Sequence, residues 1–527
     1  MPLVLAPRRS VCSALQLAQL TSWFTPLPRL ANLFACIALI TGLPQWTSHV
    51  QAAPPNIIIV MPDDVGYGDF ACNGNPIIKT PAVDAFSKQS VRFTDFQVSP
   101  TCAPTRAALL TGRHEFKNGV THSIWERERL ALDSVTLADA LKSAGYTTGI
   151  FGKWHLGDEA EYQPNRRGFD EVYIHGAGGI GQTYPGSCGD APDNTNNKPA
   201  ILHNGKFIKT DGYCTDLFFN QAEKWIAAQK PSQPFFAVIT PNAAHTPHVI
   251  PEGAKLNYTG KIPANAEKFY WMIENIDDNF GQLLAFLEKQ GLAENTLVIF
   301  MTDNGGTAGV PIFNAGMRGS KGTECQGGVR VPSFWRWPAG FAGNKETAAL
   351  ATHIDIFPTL AEIAGVKSSD KVKSQVEGRS LMPLLKNPNA DWPNRTLVTH
   401  RGRWEHGEIA DAKHKNFSIR DQQYALVNNK QLYDLKADPG QKVDVIGQHP
   451  EVVARLRKDY DKWWNEIQPL LVNENAEGPM VNPYKELYWK QFGGRPSEEQ
   501  LKAEDARLKA YKKQLGKQKK KSRAKPK

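Results

Sequence analysis

Four stretches of the chain share one pattern: an unbroken aliphatic run that stops at a polar cluster. Asn56 to Met61 (NIIIVM) ends at Pro62-Asp63-Asp64. TTGIFGKWHLG ends its apolar run at Lys153, PFFAVITPNAAHTPH near Asn242, and NTLVIFMTDNGG at Asp303. Continuous rather than alternating apolar positions predict strands buried on both faces, as in a parallel sheet. Between them, SVTLADALKSAG and AEKFYWMIENIDDNFGQLLAFLEKQG carry helical periodicity, with Gly145 and Gly291 as stops. Strands alternating with helices predict an α/β fold: a large, mostly parallel central sheet with helices on both faces. Open sheets of this kind bind ligands at the carboxyl ends of their strands. The polar clusters all stand at such ends.

The pattern changes along the chain. Gly176 to Asn197 is rich in Gly, Asn and Pro and reads as a long loop. HIDIFPTLAEIAG, from His353 to Gly365, reads as one more strand-to-helix unit. From about Asp391, TLVTHRGRW and FSIRDQQYALVNNKQLYDL read as short antiparallel strands, and PEVVARLRKDYDKWWNEI as a helix. The expected organisation is an export signal over 1–53, a large α/β domain over 54–390, and a C-terminal subdomain with a short antiparallel sheet and helix over 391–470. A helical or linker segment and a disordered basic tail fill 471–527.

The chain has 527 residues, 41% of them hydrophobic and 22% charged, which is globular composition. Its net charge of +9 is unevenly placed. The last stretch, YKKQLGKQKKKSRAKPK, is rich in Lys and Arg without an acid, and the first 53 residues hold Arg8, Arg9 and Arg29 without an acid. The body is therefore not basic, and a nucleic-acid partner is not expected. The basic tail is a candidate attachment point for a polyanionic polysaccharide. The early arginines, an apolar run from Leu30 to Leu43 and the small residues of VQAA read as an export signal too short to span a bilayer. No other segment reads as a stable membrane span. The expected location is the periplasm or extracellular space, or a lysosome or secreted state in a eukaryote. Beyond the signal, Cys72, Cys102, Cys188, Cys214 and Cys325 remain. An odd number in an exported chain leaves one cysteine with a separate fate; Cys188 and Cys214 flank the long loop and are candidates to pair.

Asp63, Asp64, Asp303 and Asn304 offer hard oxygen donors at two strand ends, which suits Ca²⁺ or Mg²⁺ rather than zinc. Lys153 and His155 (GKWHLG), His245 and His248 (HTPH), and Lys321 and Arg330 (RGSKGTECQGGVRVP) add cations and proton carriers. Such a set neutralises a tetrahedral oxyanion and moves protons near neutral pH. His248, the long loop and the tryptophans of the C-terminal part are candidates to line a sugar subsite. Neither a zinc HExxH helix, a phosphate P-loop, nor a GxSxG nucleophile elbow occurs. Cys102 has no local base, partner or metal-ligand spacing.

The stretch Cys102-Ala-Pro104-Thr-Arg106-Ala-Ala-Leu109-Leu-Thr111-Gly112-Arg113 supplies the missing context. It resembles the C-x-P-x-R…T-G-R signature of the type I sulfatases, within the alkaline-phosphatase-like superfamily, and the resemblance spans roughly residues 54 to 465. It implies a sulfuric ester hydrolase, acting on aryl sulfates or sulfated carbohydrates, in which a generating enzyme oxidises Cys102 to formylglycine (3-oxoalanine). One hydroxyl of the hydrated aldehyde attacks sulfur, and the other releases sulfate by losing its proton. The resemblance implies Ca²⁺, or Mg²⁺, held by Asp63, Asp64, Asp303 and Asn304 beside the modified Cys102. Arg106 would orient formylglycine, and Lys153 and Lys321 would hold sulfate. His155 would deprotonate the remaining hydroxyl, and His245 would serve the leaving-group side. Gln326 and Gln441 stand where the family commonly has glutamate. A phosphodiester or phosphonate hydrolase on the same scaffold, or a non-catalytic binder of sulfated glycans, are the alternatives.

Overall fold

The computed structural model describes residues 54–184 and 188–523. The expected export signal over 1–53 and the extreme end of the basic tail lie outside the described residues. Four strands form the centre of the molecule: β1 (Asn56–Val60), β2 (Thr147–Lys153), β3 (Phe235–Thr240) and β4 (Thr296–Met301). They lie side by side in the order β4-β1-β3-β2, all parallel. Six further strands extend this sheet to ten. On the β4 side, Ser333–Arg336 runs antiparallel. On the β2 side, Glu171–His175 continues parallel before two antiparallel strands close the edge. The sheet is therefore mixed, with its parallel core where the continuous aliphatic runs predicted it.

Alternate residues of β1 explain that run. Ile57 and Ile59 join one apolar layer, and Ile58 and Val60 join the opposite one. Both layers are covered. The helix α1 (Cys102–Thr111) packs on one face, and the long helix α2 (Ala264–Lys289) on the other. The Gly145 and Gly291 stops hold. Both residues adopt positive φ directly beyond a helix end, where the absence of a Cβ removes the steric penalty.

Beyond the main sheet, β5 (Leu397–His400), β6 (Phe417–Arg420), β7 (Tyr424–Val427) and β8 (Gln431–Asp434) form a separate antiparallel sheet. Helix α3 (Pro450–Ile467) covers it. This module is not insulated from the rest. Phe116 inserts among Trp404, Trp463 and Trp464, and Arg420 grips Asp95 with two hydrogen bonds of 2.8 and 2.6 Å.

Three expectations fail here. Within 471–527 a helical or linker segment was expected before a disordered basic tail, and the helix Glu498–Arg523 runs on into that tail; its run of Ala, Glu, Leu, Lys and Gln consists of good helix formers. Cys188 and Cys214 are both free thiols. Cys214 opens the helix Cys214–Ala227, while Cys188 sits against a histidine of the site described below. The C-terminal tryptophans Trp404, Trp463 and Trp464 are core residues that pack on one another and on His400, so they offer no sugar platform. No helix among the described residues is long and apolar enough to cross a membrane.

Candidate active site

The carboxyl ends of the four parallel strands converge on one buried centre. Asp63 and Asp64 follow β1, Lys153 ends β2, His245 follows β3, and Asp303 and Asn304 follow β4. Cys102 is delivered separately, as the first residue of α1. All ten residues of that helix are buried. Pro104 fits because an N–H in the first turn has no intrahelical acceptor to lose.

Charges in this centre are matched one to one. The Lys153 ammonium donates to Asp63 Oδ2 at 2.6 Å. The Arg106 guanidinium donates to Asp303 Oδ2 at 2.8 Å and to the Lys153 carbonyl at 2.8 Å. Lys321 pairs with Asp64. Burial acts to raise the Asp64 carboxyl, but Lys321 and His245 outweigh it and hold the group well below its usual range. Asp63 and Asp303 are both pushed up to about 6 by burial, their cationic partners notwithstanding. Burial also works against ionising the Cys102 thiol, yet Lys153 and Lys321 prevail and bring it down to about 7.

Two histidines have their tautomers set by backbone carbonyls. A carbonyl only accepts, so His155 Nε2–H donates to Ser123 O at 2.8 Å. Nδ1 is left bare, 3.4 Å from Cys102 Sγ. Burial, reinforced by Lys153, holds His155 neutral well below its ordinary range. His245 likewise donates Nδ1–H to Thr246 O at 2.7 Å and turns Nε2 toward the site, 3.7 Å from Asp64 Oδ2. Burial brings it down to about 4.

The donor set fits a hard divalent cation. Asp63 Oδ1 and Asn304 Oδ1 are buried and without a hydrogen-bond partner, which is costly unless a cation faces them. Ligand atoms of Asp63, Cys102 and Asp303 lie within 4.8 Å of one another. Asn304 Nδ2 donates to Asp64 Oδ1 at 3.1 Å, so its other amide atom, the oxygen, is the one left over.

The family model described as Sulfatase matches residues 55–366, and one described as N-sulphoglucosamine sulphohydrolase, C-terminal, matches residues 324–466. The chain belongs to the sulfatase family. It is 30% identical to N-acetylgalactosamine-6-O-sulfatase of Bacteroides thetaiotaomicron, over 81% of this chain and 97% of the relative. It is also 30% identical to arylsulfatase A of Homo sapiens, over 80% of this chain and 89% of the relative. Among solved structures it resembles Ps i-CgsB, with a TM-score of 0.68 and 28% identity over 84% of this chain and 98% of that one.

Within this sulfatase ten of the residues singled out for the site reach the centre: Asp63, Asp64, Cys102, Arg106, Lys153, His155, His245, Asp303, Asn304 and Lys321. His248 and Arg330 do not join them. His248 Nδ1 bonds Asn265 Oδ1 at 2.9 Å and packs on Phe269. Arg330 donates to Thr94 O at 2.6 Å and lies over the Tyr67 ring. Gln326 and Gln441 meet each other: the Gln326 backbone N–H donates to Gln441 Oε1 at 2.8 Å. This contact ties the loop after Lys321 to the edge of the C-terminal module.

Several residues around the sulfatase centre escaped the sequence reading. Ser123 sets the His155 tautomer through its carbonyl, a role open to any residue there. Cys188 Sγ lies 4.0 Å from His155 Nε2. Asn242 Oδ1 accepts from Ile180 N at 3.0 Å and pins the long loop beside the site. Arg403 reaches in from the C-terminal module and donates to Ser123 Oγ at 2.8 Å. Only its place just after an apolar strand, in THRGRW, resembled the signals used elsewhere.

Proposed function

We propose that this sulfatase removes sulfate from a sulfated sugar, using formylglycine made from Cys102 by a generating enzyme. One observation carries the reading. Cys102 is a buried thiol at a helix N-terminus, faced by the bare Nδ1 of His155 and by the field of Lys153 and Lys321. That environment suits an oxygen nucleophile which must both gain and lose a proton beside an oxyanion.

The hydrated aldehyde supplies two hydroxyls on one carbon, one to attack sulfur and one whose deprotonation expels sulfate by C–O cleavage. The chain's own residues do the rest. Lys153 and Lys321 neutralise the sulfate oxygens. His155 Nδ1 accepts the hydroxyl proton, while Ser123 O holds the ring in register. His245 offers Nε2 to the leaving oxygen, with Lys321 alongside. Arg106 orients the nucleophile and keeps Asp303 ionised. Asp63, Asp64, Asp303 and Asn304 would hold Ca²⁺, or Mg²⁺, which adds positive charge next to the nucleophile.

Two of the similar proteins support a sulfated sugar as substrate. One is an N-acetylgalactosamine-6-O-sulfatase. Ps i-CgsB has been solved with k-i-k-neocarrahexaose; that chain is 27% identical with a TM-score of 0.68. A sulfated glycan and an N-terminal export signal over residues 1–53 together favour action outside the cytoplasm, with 54–390 as the catalytic domain and 391–470 as the subdomain that completes it.

Mass spectrometry of the Cys102 peptide tests the reading. The expected product has lost the elements of hydrogen sulfide and gained one oxygen, and that protein hydrolyses sulfate esters. An unmodified thiol in all active protein, or a higher kcat/KM on phosphodiesters than on sulfate esters, overturns it.

A further inference from the structure

Arg403 stands apart from the other cations of the centre. Lys153, Arg106 and Lys321 each have a carboxylate: Asp63, Asp303 and Asp64. Arg403 has none among the described residues. Its backbone N–H donates to Thr121 O and its side chain to Ser123 Oγ at 2.8 Å; Nε is buried without a partner. Arg403 is half-buried, and a partly desolvated guanidinium without a counter-ion gains most where a ligand anion meets it.

The backbone is built to place it there. Arg403 itself lies at φ +60°, and Gly402 before it at φ +63°. A Cβ on Gly402 would sit 2.0 Å from Thr121 O, so only glycine allows the two loops to touch. The Gly402 N–H donates to His400 Nδ1 at 2.9 Å, and His400 is locked among Trp404, Trp463 and Trp464. The end of β5 is thus fixed by its aromatic core and aimed across Thr121 and Ser123 at the catalytic centre. Cys102, Asp64 and Tyr184 all lie within electrostatic range of the guanidinium. Tyr184 belongs to the long loop. Ser123, whose hydroxyl Arg403 holds, carries the carbonyl bound by His155, so the guanidinium stands one residue away from the histidine that faces Cys102.

We propose that Arg403 forms a second anion subsite, binding a negative group of the substrate other than the sulfate under attack, and so selects sugars that carry two anions. This rests on the function proposed above. The chemistry is that of a planar oxyanion or sulfate held by a guanidinium fork: a second sulfate ester, or the carboxylate of a uronic acid. The scissile sulfate already has Lys153 and Lys321 for its charge. The extra cation adds nothing specific to a substrate with a single charge. Its gain is realised only when a second anion replaces the missing counter-ion.

The test uses full-length enzyme with formylglycine confirmed at Cys102. Hydrolysis of 4-nitrophenyl sulfate, a monoanion, is measured alone and with two competing inhibitors. One is a multiply sulfated galactan oligosaccharide, and the other a disaccharide with one sulfate and one uronate. In the R403A variant at least one inhibition constant is expected to rise about ten- to a hundredfold, beyond any change in KM for 4-nitrophenyl sulfate. The inhibitor that responds identifies the second anion as sulfate or carboxylate. R403K, which keeps the charge but loses the fork, is expected to show a smaller rise of at least about threefold, and it carries the test if R403A does not fold. Equal changes for the monoanion and both inhibitors overturn the proposal, because Arg403 would then act on the catalytic centre through Ser123. No change in any of them also overturns it. A wild-type enzyme with the aldehyde in place that hydrolyses no sulfate ester defeats the proposed function instead.

Discussion

His155 depends on which of its nitrogens is bare. The Ser123 carbonyl claims Nε2–H, and burial beside Lys153 keeps the ring neutral. A lowered histidine pKa means that the basic form persists to lower pH, so protonation of His155 does not limit the rate near its ordinary value of 6.5. H155Q keeps similar bulk but cannot take the proton, and kcat for 4-nitrophenyl sulfate is expected to fall about 10²–10⁴-fold. The pH–rate profile checks the second half of the claim. An acid limb near the ordinary histidine value in the wild type that vanishes in H155Q would contradict the neutral assignment. At this scale the sequence was informative wherever chemistry is carried by a side chain of distinctive type. It was silent on Ser123, whose contribution is a carbonyl.

The strand β2 shows how an element delivers a side chain. Gly152, at φ +119°, stands directly before Lys153 and opposite Thr240 of β3. A Cβ there would lie 2.0 Å from Thr240 O and 2.5 Å from its carbonyl carbon. The contact is backbone to backbone and cannot be relieved by a rotamer change. The Lys153 carbonyl just beyond accepts from both Arg106 and Thr240 Oγ1, so displacement of β2 disturbs three groups of the centre. G152A is expected to destabilise the fold by roughly 3 kcal/mol or more, read as a fall in Tm or a loss of soluble protein. A Tm indistinguishable from that of the wild type would refute this account of the strand end. The strands themselves were legible because a buried parallel strand is apolar on both faces. The continuation of the helix Glu498–Arg523 into the basic tail was not, because a high density of lysine reads as disorder until helix propensity is weighed against it.

Over the whole molecule, the junction between the catalytic part and the C-terminal module contains a buried acid. Glu115 is 2% exposed, with His353 and His114 beside it and Trp463 of α3 nearby in a cavity shared by both parts. Burial pushes its carboxyl up from 4.5 to about 7. The folded state therefore holds this proton more tightly than the unfolded chain. Its contribution to stability is present below about pH 4.5 and is lost as pH rises through about 7. E115Q removes the dependence. The Tm of E115Q relative to wild type is expected to rise between about pH 5 and 8, by the equivalent of about 3 kcal/mol at most. A constant difference across that range would show Glu115 ionising normally in the fold. The insertion of Phe116 into the aromatic core of the module, together with the Arg420–Asp95 pair, predicts a single calorimetric transition for residues 54 onward. Two separated transitions would show the module folding independently.

The sequence by itself determined the α/β class, the parallel core, the strand-end carboxylates and the signature stretch that opens a helix at Cys102. Each of these is local: an apolar run, a strand end, or residue types at fixed spacing on one turn of chain. Only the tertiary structure decided that Cys188 and Cys214 stay apart, that the C-terminal tryptophans are core, and that Ser123 sets a tautomer. It also brought Arg403 to Ser123, beside His155, from a module whose sequence carries no catalytic signal. Those outcomes depend on distances between segments up to 280 residues apart, as for Arg403 and Ser123. No periodicity or spacing within a segment encodes such a distance, because it is set by how the sheets and their helices pack.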